Sequence, residues 1–300
     1  MSVKTQFSIK DLENLSGVKA HTIRIWEKRY NLLEPERTDT NIRQYDLLNL
    51  KKLLNVTLLY NEGYKISKIA SFKEPEIVHI IESLKEVQKE SYALQAFKSA
   101  MFDFDHKLFI DTLKEVKKEK NFREIFYDIF IPLLSEIGTL WQTSTIDPAH
   151  ERFISELIKQ EIIIHIYDLQ KQQNTASSPK FALYLPHEEI HEIGLLYANY
   201  EILFQGYNTV YLGSNIPLNN LKHLLKHYDN LTFLSYFTVK PDQETPEQYV
   251  ERFYDTIGDL KTPLWLMGAK TQNLDPEKLP KTVTLLANHQ ELKNAVSSLK

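Results

Sequence analysis

The chain contains no cysteine. That absence excludes disulfides and thiolate metal sites, and it fits a cytoplasmic protein. Glycine is scarce as well, with eight in 300 residues, against twelve prolines. Long stretches therefore run without helix breakers, and neither a low-complexity tract nor an internal repeat is present. No apolar run reaches the roughly 20 residues that a membrane-crossing helix needs. The opening MSVKTQFSIK also lacks the apolar core of a secretory signal. The expectation is a cytoplasmic chain with no membrane partner.

Neither charge sign dominates overall, and the net charge is -4. The balance is uneven along the chain, however. Residues 1–75 hold 13 Lys+Arg against 9 Asp+Glu, while the remainder holds 23 against 31. A basic first quarter on an acidic body points to a polyanion contact at the N-terminal end. A solvated basic face is the plainer explanation, and charge by itself does not choose.

A chain of this length accommodates two or three domains. Three segments separate by pattern. Residues 1–75 read as helix, glycine turn, second helix, basic hairpin and a further helix over 46–61. Residues 76–174 have helical periodicity, with helices expected near 76–90, 91–101, 105–120, 122–140 and 148–172. Gly138 is expected to interrupt the fourth, and Asp147-Pro148 to open the fifth. Short turns between antiparallel helices make a bundle. The polar stretch QQNTASSPK (172–180) reads as a boundary. Beyond it, over 179–300, strands at 181–185, 209–212, 231–236, 264–267 and 282–286 alternate with helices, the first of them over 191–204. That alternation predicts a Rossmann-like (flavodoxin-like) parallel sheet. The expected fold class is multidomain α and α/β.

The first segment contains FSIKDLENLSGVKAHTIRIWEKRYNLLEPERTDTNIRQYD (7–46). Ser8 is placed to cap the first helix, with Asp11 in its first turn. Ile9, Leu12, Leu15, Val18, Ile23 and Trp26 have the spacing of one buried seam, which leaves Lys19, His21, Thr22, Arg24, Lys28 and Arg29 facing outward. Arg and Lys suit phosphates and guanine edges, and Thr and His reach backbone oxygens or bases. Arg37, Arg43 and Tyr45 flank the hairpin turn TDTN, as a wing would require. A helical interaction module without DNA is the competing reading. The motifs FSIKDLENLSGV, TIRIWE, PER and NIRQYD resemble the DNA-binding domain of MerR-type regulators. That resemblance implies a winged helix-turn-helix on a double-stranded operator, with Thr22, Arg24, Arg37, Arg43 and Tyr45 as DNA-binding positions; the outward-facing Lys19 and His21 are expected to join them.

In the third segment the strand FALYL leads into PHEEIHEIG. Ligands of open α/β sheets bind beyond the carboxyl ends of the strands, where this loop lies. Glu189, His191 and Gly194 form E-x-H-x-x-G. Imidazole is a good borderline metal ligand, and a carboxylate two residues away can fix its tautomer. His187, Glu188 and His191 also spell H-E-x-x-H, but that zinc motif works only on a helix. Pro186 and the preceding strand put His187 in a loop. A solvated, helix-capping loop is the other candidate.

E-x-H-x-x-G resembles the signature of cobalamin-binding domains, and the whole arrangement resembles MerR-type regulators with a C-terminal cobalamin-binding (CarH/LitR-like) domain. The resemblance implies that His191 ligates the cobalt of adenosylcobalamin from below, with Gly194 giving the corrin or its nucleotide tail access to the backbone. It implies that Ser235 and Gly268 line the same site, and that Trp141 and Glu151 in the bundle cover the upper face. The match departs from the family at several positions. Arg152 and Gln142 stand where the family or its light-responsive members have His, SYF (235–237) replaces S-x-L, and Gly268-Ala269 replaces Gly-Gly. Tyr236 and Phe237 are thus candidates to fill the tail channel. Trp141 has a second reading as an ordinary bundle-core residue.

The reading is a non-enzymatic, cytoplasmic transcription regulator that binds DNA as a dimer or tetramer under adenosylcobalamin control, with light as a further input. RNA polymerase is a candidate partner. The alternatives are a cofactor-free repressor governed by a protein partner and, less favoured, a corrinoid carrier for methyl transfer.

Overall fold

Local signals are met in the first domain. Ser8 accepts the Asp11 N–H at 3.1 Å while the Asp11 carboxylate takes the Ser8 N–H at 2.7 Å. This reciprocal pair starts helix α1 (Ile9–Ser16) just after strand β1 (Gln6–Phe7). Gly17, at φ 73°, turns the chain into α2 (Ala20–Tyr30), and Asn31, also left-handed, ends that helix. Strands β2 (Glu36–Arg37) and β3 (Arg43–Asp46) form the wing, with β3 in the middle of a three-stranded antiparallel sheet that includes β1. Asp46 caps α3 (Leu47–Asn61), and a short α4 (Ile66–Ile69) follows. Leu12, Leu15, Ile23 and Trp26 are buried as the seam requires, whereas Ile9 and Val18 are half-buried.

The computed structural model describes residues 4–84, 89–172 and 180–299. The chain divides into two units, 1–157 and 158–300. The first unit contains both the DNA-reading segment and the bundle. The bundle runs through α5 (Glu74–Leu84), α6 (Lys89–Asp103), α7 (His106–Val116), α8 (Phe122–Ile125), a π-helical turn (Phe126–Phe130), α9 (Ile131–Gln142) and the start of α10 (Pro148–Gln172).

Several expectations change here. Lys89 and Glu90 belong to α6, and the join before them lies outside the described residues, as does most of the 172–180 stretch. The expected helix over 122–140 contains a π-helical turn, and α9 runs through Gly138 without interruption. The reader and the bundle share a core: Phe7 of β1 meets Phe102 of α6 edge-on at 6.1 Å, and Lys51 of α3 pairs with Asp103 at 2.5 Å.

The second unit takes the rest of α10 and the strands β4 (Phe181–Tyr184), β5 (Thr209–Gly213), β6 (Thr232–Tyr236), β7 (Leu264–Met267) and β8 (Val283–Leu285). All neighbours are parallel, in the order β5-β4-β6-β7-β8, which is the flavodoxin-like order. β4 is buried on both faces. On one face Ala182, Phe233 and Leu266 pack with α12 (Leu218–Leu221) and α13 (Pro246–Ile257). On the other, Leu183, Leu234 and Met267 pack with α11 (Ile193–Phe204) and α14 (His289–Ser297). The first helix begins at Ile193, so His191 is a loop residue and not a helical one.

Because Phe102 is buried at the reader–bundle core, Phe102→Ala should destabilise the first unit by about 3–5 kcal/mol. Hydrogen exchange should speed up in α1 and α3 along with α6. Protection lost in α6 alone would show that the reader folds independently.

Candidate functional site

Lys19, at the N-cap of α2, is exposed, as are His21, Arg24, Lys28 and Arg29 on the helix, and Thr22 is half-buried, with its hydroxyl 3.3 Å from the His21 ring. Glu13 of α1 steadies the start of this helix by accepting from Ala20 N–H at 3.2 Å and pairing with Lys19 at 3.3 Å. These contacts hold the Glu13 carboxyl below its ordinary range, the backbone bond from Ala20 first among them. The outward cations are therefore presented on a rigid seat, as phosphate and base-edge contacts require.

The wing is tied to that helix by one residue the sequence reading overlooked. Glu27 of α2 accepts Arg43 Nε at 2.9 Å and Tyr45 OH at 2.8 Å. Burial, followed by the bond to Glu27, pushes the Tyr45 phenol well above its ordinary value. Tyr45 is wholly buried, so its expected place on the DNA-facing surface is corrected: its hydroxyl braces the wing. Arg43 is half-buried and engaged in the same brace, while Arg37 is exposed at the turn, 2.6 Å from Asn41 Oδ1. A Glu seven residues into a helix carries no local mark of this role; only an Arg sixteen positions later reveals it.

In the bundle, Trp141 near the end of α9 is 54% exposed and is not a core residue. Glu151, in the first turn of α10, accepts Ser155 Oγ at 2.9 Å, and Arg152 lies 3.8 Å from it. His150 was missed by the sequence reading. It is buried, stacks on Phe104 with ring centres 5.1 Å apart, and burial lowers its pKa. It serves packing, because its ring faces the bundle aromatics. The loop 143–147 joining Trp141 to α10 touches the reader directly. Asn14 Nδ2 donates to Thr145 Oγ1 at 3.0 Å, Lys4 Nζ donates to the Ser144 carbonyl at 3.1 Å, and the Lys4 N–H donates to Asp147.

In the second unit, the loops after β4 and β6 diverge, which makes the space beyond them the switch point of the sheet. Glu189 occupies it. Its Oε1 accepts the N–H groups of Ile190 (2.9 Å) and His191 (3.0 Å) and the His191 Nδ1–H (2.6 Å). Its Oε2 accepts the N–H groups of Val239 (2.7 Å) and Lys240 (2.8 Å) from the loop after β6. Burial alone would raise its pKa, but these hydrogen bonds outweigh burial and hold it at about 2. With Nδ1 protonated towards Glu189, the imidazole lone pair sits on Nε2, and the side chain is 51% exposed. An imidazole so oriented would suit holding a cobalt ion. His187 is exposed in the loop before it, and among the described residues no group of three His, Cys, Asp or Glu side chains could hold a metal ion.

The remaining positions expected to line the site are occupied by the protein itself. Ser235 is buried and donates to the Tyr184 carbonyl at 3.1 Å. Gly268, at φ 107°, lies so close to the Phe237 carbonyl that any Cβ would collide with it. At Gly194, an added Cβ would fall 2.6 Å from Cζ of Tyr236. The glycine accommodates an aromatic ring of this chain, and the residues there do not fit a buried nucleotide tail.

Residues 7–74 match the MerR HTH family regulatory protein model, and residues 93–164 match the B12 binding domain model. The HTH-type transcriptional repressor CarH of Myxococcus xanthus is 25% identical over 289 residues, covering 89% of this chain and 90% of that protein. The chain is a homologue of MerR-type regulators with a B12-binding domain. CarA, a repressor of the same organism, is 24% identical, covering 70% of this chain and 68% of its own length. The monomethylamine corrinoid protein of Methanosarcina barkeri superposes with a TM-score of 0.56 at 13% identity, covering 68% of this chain and 96% of that one, a likeness of fold.

Glu27→Ala leaves Arg43 and the buried Tyr45 hydroxyl without their acceptor, which should cost about 1–3 kcal/mol. It should also weaken operator binding, measured by fluorescence anisotropy, although Glu27 is an anion. Tighter binding on its removal would show that the brace is unimportant. For Glu189, a folded pKa of about 2 against the ordinary value of 4.5 means roughly 3 kcal/mol of stability at neutral pH. A depressed pKa contributes fully above the unfolded value and is lost as pH falls from about 4.5 towards 2. Glu189→Gln should flatten thermal stability across that acid range; an unchanged pH profile would remove the assignment.

Proposed function

We propose that this chain is a DNA-binding transcriptional regulator controlled by cobalamin, acting in the cytoplasm and not as an enzyme. The observation that carries the reading is an imidazole held by a buried carboxylate at the sheet's switch point, in a chain whose first domain presents cations on a recognition helix. His191 is the proposed lower ligand to cobalt, with Glu189 setting its tautomer. Trp141 and Glu151 are the proposed upper-face residues. When bound, adenosylcobalamin supplies a cobalt–carbon bond that light can break.

The chain's own part is binding and coupling. Lys19, His21, Thr22 and Arg24 read the groove and its backbone, and Arg37 with the braced Arg43 holds the flank. Trp141 and Glu151 would hold the cofactor's upper side, and a change in their arrangement would bias the loop 143–147 between them. That loop's hydrogen bonds to Asn14 and Lys4 carry the bias to α1. Regulation is a population shift between states differing in readiness to assemble on the operator as a dimer or tetramer. Repression is the direction suggested by the CarH and CarA names; RNA polymerase is the natural second partner at a promoter.

Purification in the dark with adenosylcobalamin, a visible spectrum and size-exclusion chromatography test the sensor. Bound corrin and a shift in oligomeric size are expected, and His191→Ala should lower corrin affinity about tenfold or more. Absence of bound corrin defeats the sensor reading. For the output, Arg24→Ala should weaken operator binding and reduce its salt slope by about one. Unchanged affinity and slope would defeat the assigned role of Arg24.

A further inference from the structure

The space beside His191 is shaped by Tyr236. Its ring lies on the backbone of Gly194, so close that alanine there could not be accommodated without movement. The same ring stacks on the His289 imidazole, ring centres 5.8 Å apart and 20° from parallel. His289 is itself buried against Tyr197 at 5.0 Å. A flat six-membered ring is thus seated over the carboxyl edge of β6, against the first turn of α11 and the start of α14.

A complete cobalamin carries its nucleotide on the lower side of the corrin, the side a protein imidazole occupies when it ligates cobalt. With His191 in that position, the displaced base needs a slot near it, and Gly194 is three residues away. That slot already contains an aromatic ring belonging to the protein.

We propose that Tyr236 takes the place of the corrinoid's lower base, so that this chain recognises the corrin ring and its upper ligand while leaving the nucleotide tail unburied. The ligand class is therefore corrinoids irrespective of their lower base, tail-less cobinamides included. This rests on the reading of His191 as a corrin ligand. Gly194 leaves room here for Tyr236, and Ser235, whose hydroxyl is spent on Tyr184, adds no contact to a tail.

Dark titrations of the full chain with adenosylcobalamin and adenosylcobinamide, read by visible absorbance, test it. The wild-type chain should bind the two within about tenfold of each other. Tyr236→Gly should gain about tenfold or more for adenosylcobalamin and leave adenosylcobinamide unchanged, while Tyr236→Phe, which keeps the ring, should behave as wild type. A wild-type preference of about a hundredfold for the complete cofactor would overturn the proposal without any variant having to fold. So would a folded Tyr236→Gly chain with no gain. If wild type binds neither corrinoid but Tyr236→Gly binds adenosylcobalamin, the ring is an obstacle and not a stand-in for the base, and the proposal falls. If neither chain binds either corrinoid, the corrin reading of His191 fails, and this proposal with it.

Discussion

The buried carboxylate of Glu189 organises the second unit's candidate site. Two loops that leave the sheet in opposite directions are joined because five N–H groups converge on its two oxygens. A carboxylate out of water is costly unless it is fully hydrogen-bonded, and here the bonds are numerous enough to hold it ionised far into acid. The position of His191, its tautomer and the late start of α11 at Ile193 all follow from that one anchored charge. The Lys240–Glu188 pair, at 3.1 Å, joins the same two loops at the surface.

A parallel logic operates in the first unit. Glu27 gathers Arg43 and Tyr45 and so couples recognition helix and wing. The reader is also continuous with the bundle through Phe7, Phe102 and the hydrogen bonds from Asn14 and Lys4 to the loop 143–147. A helix-turn-helix on a flexible tether would transmit little beyond proximity. One sharing a core with the segment between Trp141 and Glu151 has a physical route by which a change there alters the reader.

The flavodoxin-like order of the sheet connects this chain to corrinoid proteins by fold, but its interior is its own. The positions where the E-x-H-x-x-G resemblance implied room for a ligand are divided. Glu189 and His191 are joined by their hydrogen bond, and the Gly194, Ser235 and Gly268 half is packed with protein. Retention of one half and closure of the other is a coherent arrangement if the ring and its lower imidazole carry recognition.

Much was legible in the residues alone. Ser8–Asp11, Gly17 and Asp46 set the ends of the first helices through hydrogen bonds spanning three or four positions, and strand alternation announced the sheet. Such signals are local, and a sequence states them directly. The E-x-H pair belongs with them, because donor and acceptor are two residues apart. What only the tertiary structure decided lies between residues far apart in the chain: Tyr236 on Gly194, Glu27 under Arg43 and Tyr45, Phe7 against Phe102. Tyr45 read as an outward aromatic because alternation along a short strand says which residues share a face, not which face is covered. Burial is settled by the elements that arrive from elsewhere, and here β1 and Glu27 covered it.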